Sequence, residues 1–351
     1  MTNRPDPPLP SARRRPPAVL LLLLSVTLLL IAAIAALAIG RAMLSPGDVI
    51  AVLTHALTGK GEVPLANKTI VMGVRLPRVV AAAMIGGALA VSGTAYQGLF
   101  RNPMVSPDIL GASTGASFGA ALALLLSTSR SGVQAAAFVG GVIAVLLTYT
   151  SARKIGRGTD QVLLLVLCGM IVSALFQAFV SAVKYTADPD SKLPEITYWL
   201  MGSIAKVTWP DLALYAIPFT VGLIPIIALR WRLNALAFGE EEAESLGVNV
   251  VALRATCIVC ATLLTASSVA ISGVISWIGL IMPHLVRFIA GPDNRIVVPL
   301  SIILGGAFLV LVDTACHTII ASEIPLGILT SVIGAPLFFV ILVNGRRAGR
   351  S

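Results

Sequence analysis

Few residues of this 351-residue chain have the type and spacing to do chemistry. The three histidines, His55, His284 and His317, lie far apart, and no HExxH pair occurs. The cysteines are Cys168, Cys257, Cys260 and Cys316. Cys257-Ile-Val-Cys260 has CxxC spacing, but no Gly-rich turn, second CxxC or histidine accompanies it, so we read the thiols as small residues packed between helices. No GxxxxGK[ST] loop is available to cradle a nucleotide phosphate, so ATP hydrolysis is not expected of this chain. Catalytic residues, a metal site and a cofactor of its own are likewise not expected. What remains is charge arranged for contact. Arg75-Leu76-Pro77-Arg78 presents two guanidinium groups, which suit bidentate recognition of carboxylates. Glu240-Glu241-Glu242-Ala243-Glu244 is the only dense acidic run. Gly156-Arg157-Gly158-Thr159-Asp160 is a short basic turn.

The surroundings of these residues are apolar. Hydrophobic residues make up 57% of the chain and charged residues 12%, against about a quarter charged in an ordinary soluble protein. The mean hydropathy is +0.93. This balance excludes a soluble enzyme, a disordered chain and a nucleic-acid binder. The net charge of +9 is spread over many connecting segments and forms no basic stripe.

Hydropathy predicts an all-α polytopic membrane protein. Residues 1–17, with Arg4, Arg13, Arg14, Arg15 and six prolines, read as a disordered basic tail. Residues 18–39 carry no charge, and about 22 residues at 1.5 Å each reach ~33 Å, enough for a bilayer core of ~30 Å and too long for a signal-peptide core. Further spans are expected at 79–100, 109–129, 131–152, 161–183, 212–229, 250–270, 274–291, 296–316 and 326–344, about ten in all. Residues 18–345 then form one membrane domain, and 346–351 a second tail. With both termini cytoplasmic, the cytoplasmic segments hold 16 Lys and Arg and the outer segments 9, as the positive-inside rule requires.

Helices in lipid associate by close van der Waals contact, which small residues permit. Gly111, Gly115 and Gly119 are spaced for one helix face, as are Gly86, Ala90 and Thr94, and Gly140-Gly141 and Gly305-Gly306 mark other crossings. An ion-coupled transporter keeps acids or histidines near the midplane. Asp108, Asp160, Asp313 and His317 read instead as helix-end residues, which counts against a stand-alone secondary transporter and leaves the energy source outside this chain.

Three segments admit two readings each. Arg75 and Arg78, on the outer side, either anchor to lipid headgroups or dock an acidic partner. The inner loop 236–247 is either a solvated connection or a short helix ending at Gly247, with Ala243, Leu246 and Gly247 turned to a partner. Residues 193–206, with Tyr198 and Trp199, form either an aromatic anchor or an interfacial helix at the mouth of a pathway.

These residues, taken together, resemble a known family. Arg75-Leu-Pro-Arg78, Gly86-Gly-Ala-Leu-Ala-Val-Ser-Gly93, Gln97, Arg101-Asn102-Pro103, Pro107 and Leu110-Gly111 match it in order. So do Tyr198-Trp-Leu-Met-Gly202, Glu242-Ala-Glu-Ser-Leu-Gly247, Gly279-Leu-Ile-Met-Pro283-His284-Leu-Val-Arg287, Glu323-Ile-Pro325-Leu-Gly327 and Gly334-Ala-Pro336. Over roughly residues 40–345 the chain resembles the FecCD-like permeases of type II ABC importers for iron–siderophore chelates, haem and cobalamin. The resemblance implies ten helices per subunit and a homodimer around one pathway in a prokaryotic cell membrane. It implies two cytoplasmic ATPase subunits that hold ATP and Mg, and an extracytoplasmic substrate-binding protein. It assigns Arg75 and Arg78 to docking of that protein, the loop with Glu240, Glu241, Glu242, Ala243, Leu246 and Gly247 to the ATPase, and Arg157, Gly158, Thr159 and Asp160 to an inner gate, for which a plain basic turn is the alternative. Asn102 to Asp108 look more like the iron–siderophore branch, with haem or cobalamin as the alternative. The family commonly has another arginine after the span-nine aspartate, where this chain reads Asp313-Thr-Ala-Cys316-His317, so His317 is expected either to dock the partner in a pH-dependent way or to have no partner.

Overall fold

A segment in lipid must pair its own backbone N–H and C=O groups, and a helix does this alone. The computed structural model describes residues 16–40, 42–156, 161–320 and 322–348, and every regular element among them is helical. In chain order these are α1 (Ala18–Ala38), α2 (Pro46–Thr58), α3 (Leu65–Lys68), a π-helical stretch (Thr69–Arg75), α4 (Leu76–Leu99), a 3-10 turn (Pro107–Leu110), α5 (Ala112–Leu125), α6 (Arg130–Ile155) and α7 (Gln161–Thr186). Then follow α8 (Lys192–Leu200), α9 (Trp209–Leu229), α10 (Arg232–Ala235), a 3-10 turn (Leu236–Phe238), α11 (Glu240–Ser245), α12 (Val250–Ser272), α13 (Ile278–Ala290), α14 (Asn294–Thr318) and α15 (Leu326–Ala348).

Seven helices are long and apolar enough to cross a bilayer: α1, the continuous helix Leu65–Leu99, α6, α7, α9, α12 and α14. Two apolar helices are shorter, Ala112–Leu125 and Ile278–Ala290, and the apolar stretch Leu326–Ile341 opens the 23-residue α15. Each expected span contains one of these helices, and by length and composition seven of them are long and apolar enough to cross. Two starts are delayed by backbone geometry that hydropathy does not register. Before α5 the chain makes the 3-10 turn and reverses at left-handed Gly111 (φ 89°), so Gly111 precedes the helix instead of lying on its face. Before α13 the chain leaves Gly273 at φ 69° and turns at Trp277, which also has a positive φ of 75°. The remaining 14 and 13 residues rise only about 20 Å.

Leu65–Leu99 is the axis of the molecule. In its apolar window 83% of residues are buried, against 11% in α1 and 22% in α9. Helix α14 lies antiparallel to it. Arg78 meets Asp313, the Gly86 backbone lies on Gly305, and Gly98 is near Asn294. Further along, Gly93 meets the Gly279 carbonyl, while Gly115 and Gly119 of α5 lie against Gly140 and Ala136 of α6. At Gly86, Gly93, Gly115 and Gly119 an added Cβ would strike backbone. All four cysteines are free and buried, Cys257 and Cys260 inside α12.

This contact predicts an asymmetry between two glycines of one continuous helix. Gly93→Ala would place a methyl group on the Gly279 carbonyl and should cost upward of about 2 kcal/mol. Gly73→Ala, with no atom within 4 Å, should stay within about 1 kcal/mol of wild type. Thermal unfolding of the two purified variants checks this. Equal melting temperatures would show that the crossing tolerates a side chain.

Candidate functional site

The charged groups gather at the two ends of the bundle. At one end, the π-helical stretch delivers Arg75 and the first turn of α4 delivers Arg78. Arg78 Nε and Nη2 donate to Asp313 Oδ2 and Oδ1 at 2.7 and 2.9 Å, a bidentate pair across 235 positions. Its Nη1 donates to Glu323 Oε1 at 2.8 Å, from the segment between α14 and α15. The side chains are 12% (Arg78), 5% (Asp313) and 24% (Glu323) exposed, so this network lies largely out of solvent. Two of the five guanidinium N–H groups remain available. Asp313, expected at a helix end, lies more than a turn inside α14 and is buried, because Arg78 supplies its counter-charge there.

Arg75 binds backbone. Its Nη1 donates to Leu37 O at 2.6 Å and Ala38 O at 3.0 Å, and its Nη2 donates to Ala42 O. It therefore caps the C-terminus of α1, where free carbonyls concentrate partial negative charge. His317 Nδ1 is 2.7 Å from the Asp313 carbonyl. A carbonyl only accepts, so Nδ1 carries the proton and Nε2 is left for another partner. Arg75, Arg78, Asp313, His317 and Glu323 line one cavity of about 260 Å³. The structure thus brings together all three residues expected to dock a partner.

Three chain segments, after α8, after α12 and at the start of α15, meet backbone to backbone. Ser203 N donates to Ser272 O at 2.7 Å, Leu326 N to Gly202 O at 2.9 Å and Gly327 N to Met201 O at 2.9 Å. Side chains at Gly202, Gly273 or Gly327 would strike neighbouring carbonyls, which accounts for the glycines of two of the motifs. Helix α8 precedes the junction as the expected short helix, with Tyr198 half exposed, and a second cavity of about 340 Å³ opens beside it, lined by Tyr198, Trp199, Arg130 and Lys206 among others.

At the other end, Gly239 (φ 127°) starts α11 and Gly247 (φ 78°) closes it. Gly247 N donates to Glu244 O at 2.9 Å and Val248 N to Ala243 O at 3.0 Å, the paired bonds of a Schellman ending. Glu241, Glu242, Glu244 and Leu246 are exposed. Ala243, expected to face a partner, is fully buried, so the outward apolar side chains here are Leu246 and Phe238. Glu240 turns back to the bundle and pairs with Arg254 of α12, whose Nη1 also donates to Gln161 Oε1 at 2.6 Å. Arg157, Gly158, Thr159 and Asp160 lie outside the described residues, as do residues 1–15 of the basic tail.

Sequence reasoning missed the partners of the arginines. Motif spacing gives no role to Glu323 or Arg254, and it does not join Gln97 to Arg287. Arg287 donates to Gln97 Oε1, and Gln97 Nε2 to Leu280 O at 3.1 Å and Val105 O at 3.3 Å. The available signal was an arginine inside or bordering an apolar run, which must find a counter-charge or an amide before it can be buried.

Residues 28–344 match the model of the FecCD transport family. The chain is 38% identical over 317 residues to a molybdate import system permease protein of Haemophilus influenzae, covering 90% of this chain and 93% of that one. It is 40% identical over 281 residues to a cobalamin import system permease protein of Halobacterium salinarum, covering 80% and 75%. Other relatives are named as permeases for iron chelatin and for hemin. Among solved structures, one described as a metal-chelate type ABC transporter in an inward-facing conformation superposes with a TM-score of 0.83 at 36% identity, covering 93% of this chain and 99% of that one.

The Arg78–Asp313 pair makes a thermodynamic prediction. Arg78→Met leaves the buried Asp313 without its counter-charge and should cost about 3 kcal/mol or more, whereas Asp313→Leu leaves Arg78 its bond to Glu323 and should cost less. The double variant should recover most of that loss, because neither charge is then buried. Glu323→Gln, at the more exposed edge, should cost about 1 kcal/mol or less. Unfolding of the four variants measures the cycle, and additive losses in the double variant would show that the two groups act independently.

Proposed function

The chain belongs to the FecCD transport family, and from that premise we propose that this ABC importer permease carries iron–siderophore chelates. The observation that carries the reading is the match over residues 28–344, supported by iron-chelatin relatives and by a neighbour described as a metal-chelate transporter. The molybdate relative, which matches 90% of this chain, favours an oxyanion as the second reading. Haem and cobalamin complete the set of cargoes to be tested.

In this reading residues 18–345 form one membrane domain that crosses ten times, with the short helices α5 and α13 completing crossings together with their lead-in segments. The tails 1–17 and 346–351 are cytoplasmic. Two copies enclose the pathway, and the permease performs no catalysis itself. ATP and Mg are held by two cytoplasmic ATPase subunits that grip α11 through Glu241, Glu242, Glu244 and Leu246. Glu240 and Ala243 hold α11 to the bundle, and Arg157 to Asp160 stand at the inner gate. A substrate-binding protein docks at the opposite end. Its carboxylates take the two free N–H groups of Arg78, with Arg75 and the His317 ring beside them.

Proteoliposomes holding the permease, ATPase and binding protein should accumulate a ferric siderophore only with ATP, and exceed their uptake of molybdate, haem or cobalamin. Uphill uptake by the permease alone on an ion gradient would overturn the class. Reversal of Glu241, Glu242 and Glu244 to lysine should weaken ATPase co-purification on the order of tenfold. An undiminished complex would leave those acids as solvating groups. His317→Arg, which puts a permanently charged guanidinium where an imidazole stands, should tighten docking severalfold. Glu323→Gln, which removes a carboxylate competing for Arg78, should tighten docking severalfold, and an unchanged affinity in both variants would remove this cavity from the docking surface.

A further inference from the structure

We propose that the groove between the end of α9 and the start of α14 binds the headgroup of an anionic phospholipid. The groove encloses about 720 Å³ and is lined by Ile224, Ile227, Ala228, Arg230, Trp231 and Arg295. Its height in the bilayer follows from α9. That helix has 21 residues and rises about 32 Å, close to one hydrocarbon thickness. Trp209 and Trp231 bracket it, placed where indole rings settle at membrane–water interfaces. Arg230 follows the last residue of α9, and Arg295 is the second residue of α14. Both guanidinium groups therefore stand at phosphate level, and the isoleucines below them stand at acyl level.

Charge selects the occupant. Among the described residues no carboxylate oxygen lies within 4 Å of a guanidinium nitrogen of Arg230, Arg232 or Arg295. This contrasts with Arg78, Arg130 and Arg254, each of which has an acidic partner. Arg230 is aimed by a bond from Nη1 to the Ile227 carbonyl at 3.2 Å, and Arg232 lies 5.3 Å from the Trp231 ring centre on a face of the indole. The nearest acid in sequence, Asp293, is engaged by Asn234 Nδ2 at 2.6 Å and by the Arg295 backbone N–H at 2.9 Å. Two forked cations over an aliphatic wall match a phosphodiester carrying acyl chains. The chain's own termini are poor occupants, because 1–17 carries four arginines and 346–351 three. Placing the groove in the cytoplasmic leaflet rests on the orientation proposed above, but the binding does not.

The test uses the assembled transporter in detergent, titrated with phosphatidylglycerol or phosphatidylcholine of the same acyl chains and read by native mass spectrometry. Wild type should retain phosphatidylglycerol preferentially. Arg230→Gln with Arg295→Gln should reduce that preference on the order of tenfold, whereas Lys184→Gln, at the opposite end of the bundle, should leave it unchanged. Ile224→Trp, which fills the acyl wall and keeps both arginines, should also reduce it. This second variant keeps the test open if the double variant assembles poorly. Equal preference in wild type and both groove variants would overturn the proposal. So would complete competition by millimolar inorganic phosphate, which would make the site one for free anions, and so would a change of oligomeric state in the double variant, which would make the groove a contact between copies. None of these readings uses transport, so failure here is distinct from failure of the substrate assignment.

Discussion

Lipid exerts no hydrophobic pressure that drives one apolar helix onto another, so this bundle depends on backbone reaching backbone. The buried helix Leu65–Leu99 is where that requirement is met most often. Gly86 lies on Gly305 and Gly93 on the Gly279 carbonyl, and α5 and α6 repeat the device at Gly115, Gly140 and Gly119. These contacts do more than hold helices together. The Gly93–Gly279 crossing brings Gln97, one turn further along, within reach of the Leu280 carbonyl and of Arg287. The Gly86–Gly305 crossing, read two turns in the other direction, sets Arg78 opposite Asp313. The polar network is thus positioned by places where a side chain is missing.

Three arginines then carry most of the buried charge, and each is resolved differently. Arg78 has two carboxylates, Arg254 has one carboxylate and an amide, and Arg287 has an amide and a carbonyl. Burial of an unpaired guanidinium in lipid is costly enough that each partner is a structural necessity. Pairs of this kind add little net stability over apolar packing, but they fix which helix lies beside which. Arg78 ties the start of α4 to α14 and to the segment before α15. Arg254 ties α12 to α7 and α11. Both ends of the bundle are pinned in this way, and both ends are the ones at which partner proteins are proposed to act.

Much of this was legible in the chain, because hydropathy reports where apolar helices run. The expected division near Ser272-Gly273 coincides with the end of α12, and the short helices near 193–206 and 236–247 are present. Three kinds of feature were not legible. Helix length was overestimated at α5 and α13, because a left-handed Gly111 and a positive φ at Trp277 are backbone properties invisible to a hydropathy sum. Helix α2 is short and only partly apolar, so a search for uncharged runs passed over it even though Ser45 and Asp48 form a capping box at its start. Pairing across long separations was also hidden. Nothing local to Arg78 specifies Asp313 or Glu323, and nothing in the run of four acids specifies that Glu240 turns inward while its neighbours stay wet.

The two ends are joined by one continuous element, and this constrains how they communicate. Helix α12 starts beside α11, is clamped to it by Arg254 and Glu240, and runs uninterrupted to Ser272. From Arg254 to Ser272 it spans about 27 Å. There the Ser272 carbonyl holds Ser203, and the next links hold Gly202 to Leu326 and Met201 to Gly327. Every joint in that junction is a backbone hydrogen bond at a glycine or next to one, so it has no side chain that could absorb a displacement by changing rotamer. A shift of α11 imposed from outside must therefore be taken up by rotation about Gly202 and Gly273, both already at positive φ, or passed on to the start of α15 and the segment that holds Glu323. A rigid rod with a hinged junction is the kind of element that permits two discrete arrangements, and in this chain it runs between the acidic helix and the cavity lined by Ser203, Ser272 and Gly273.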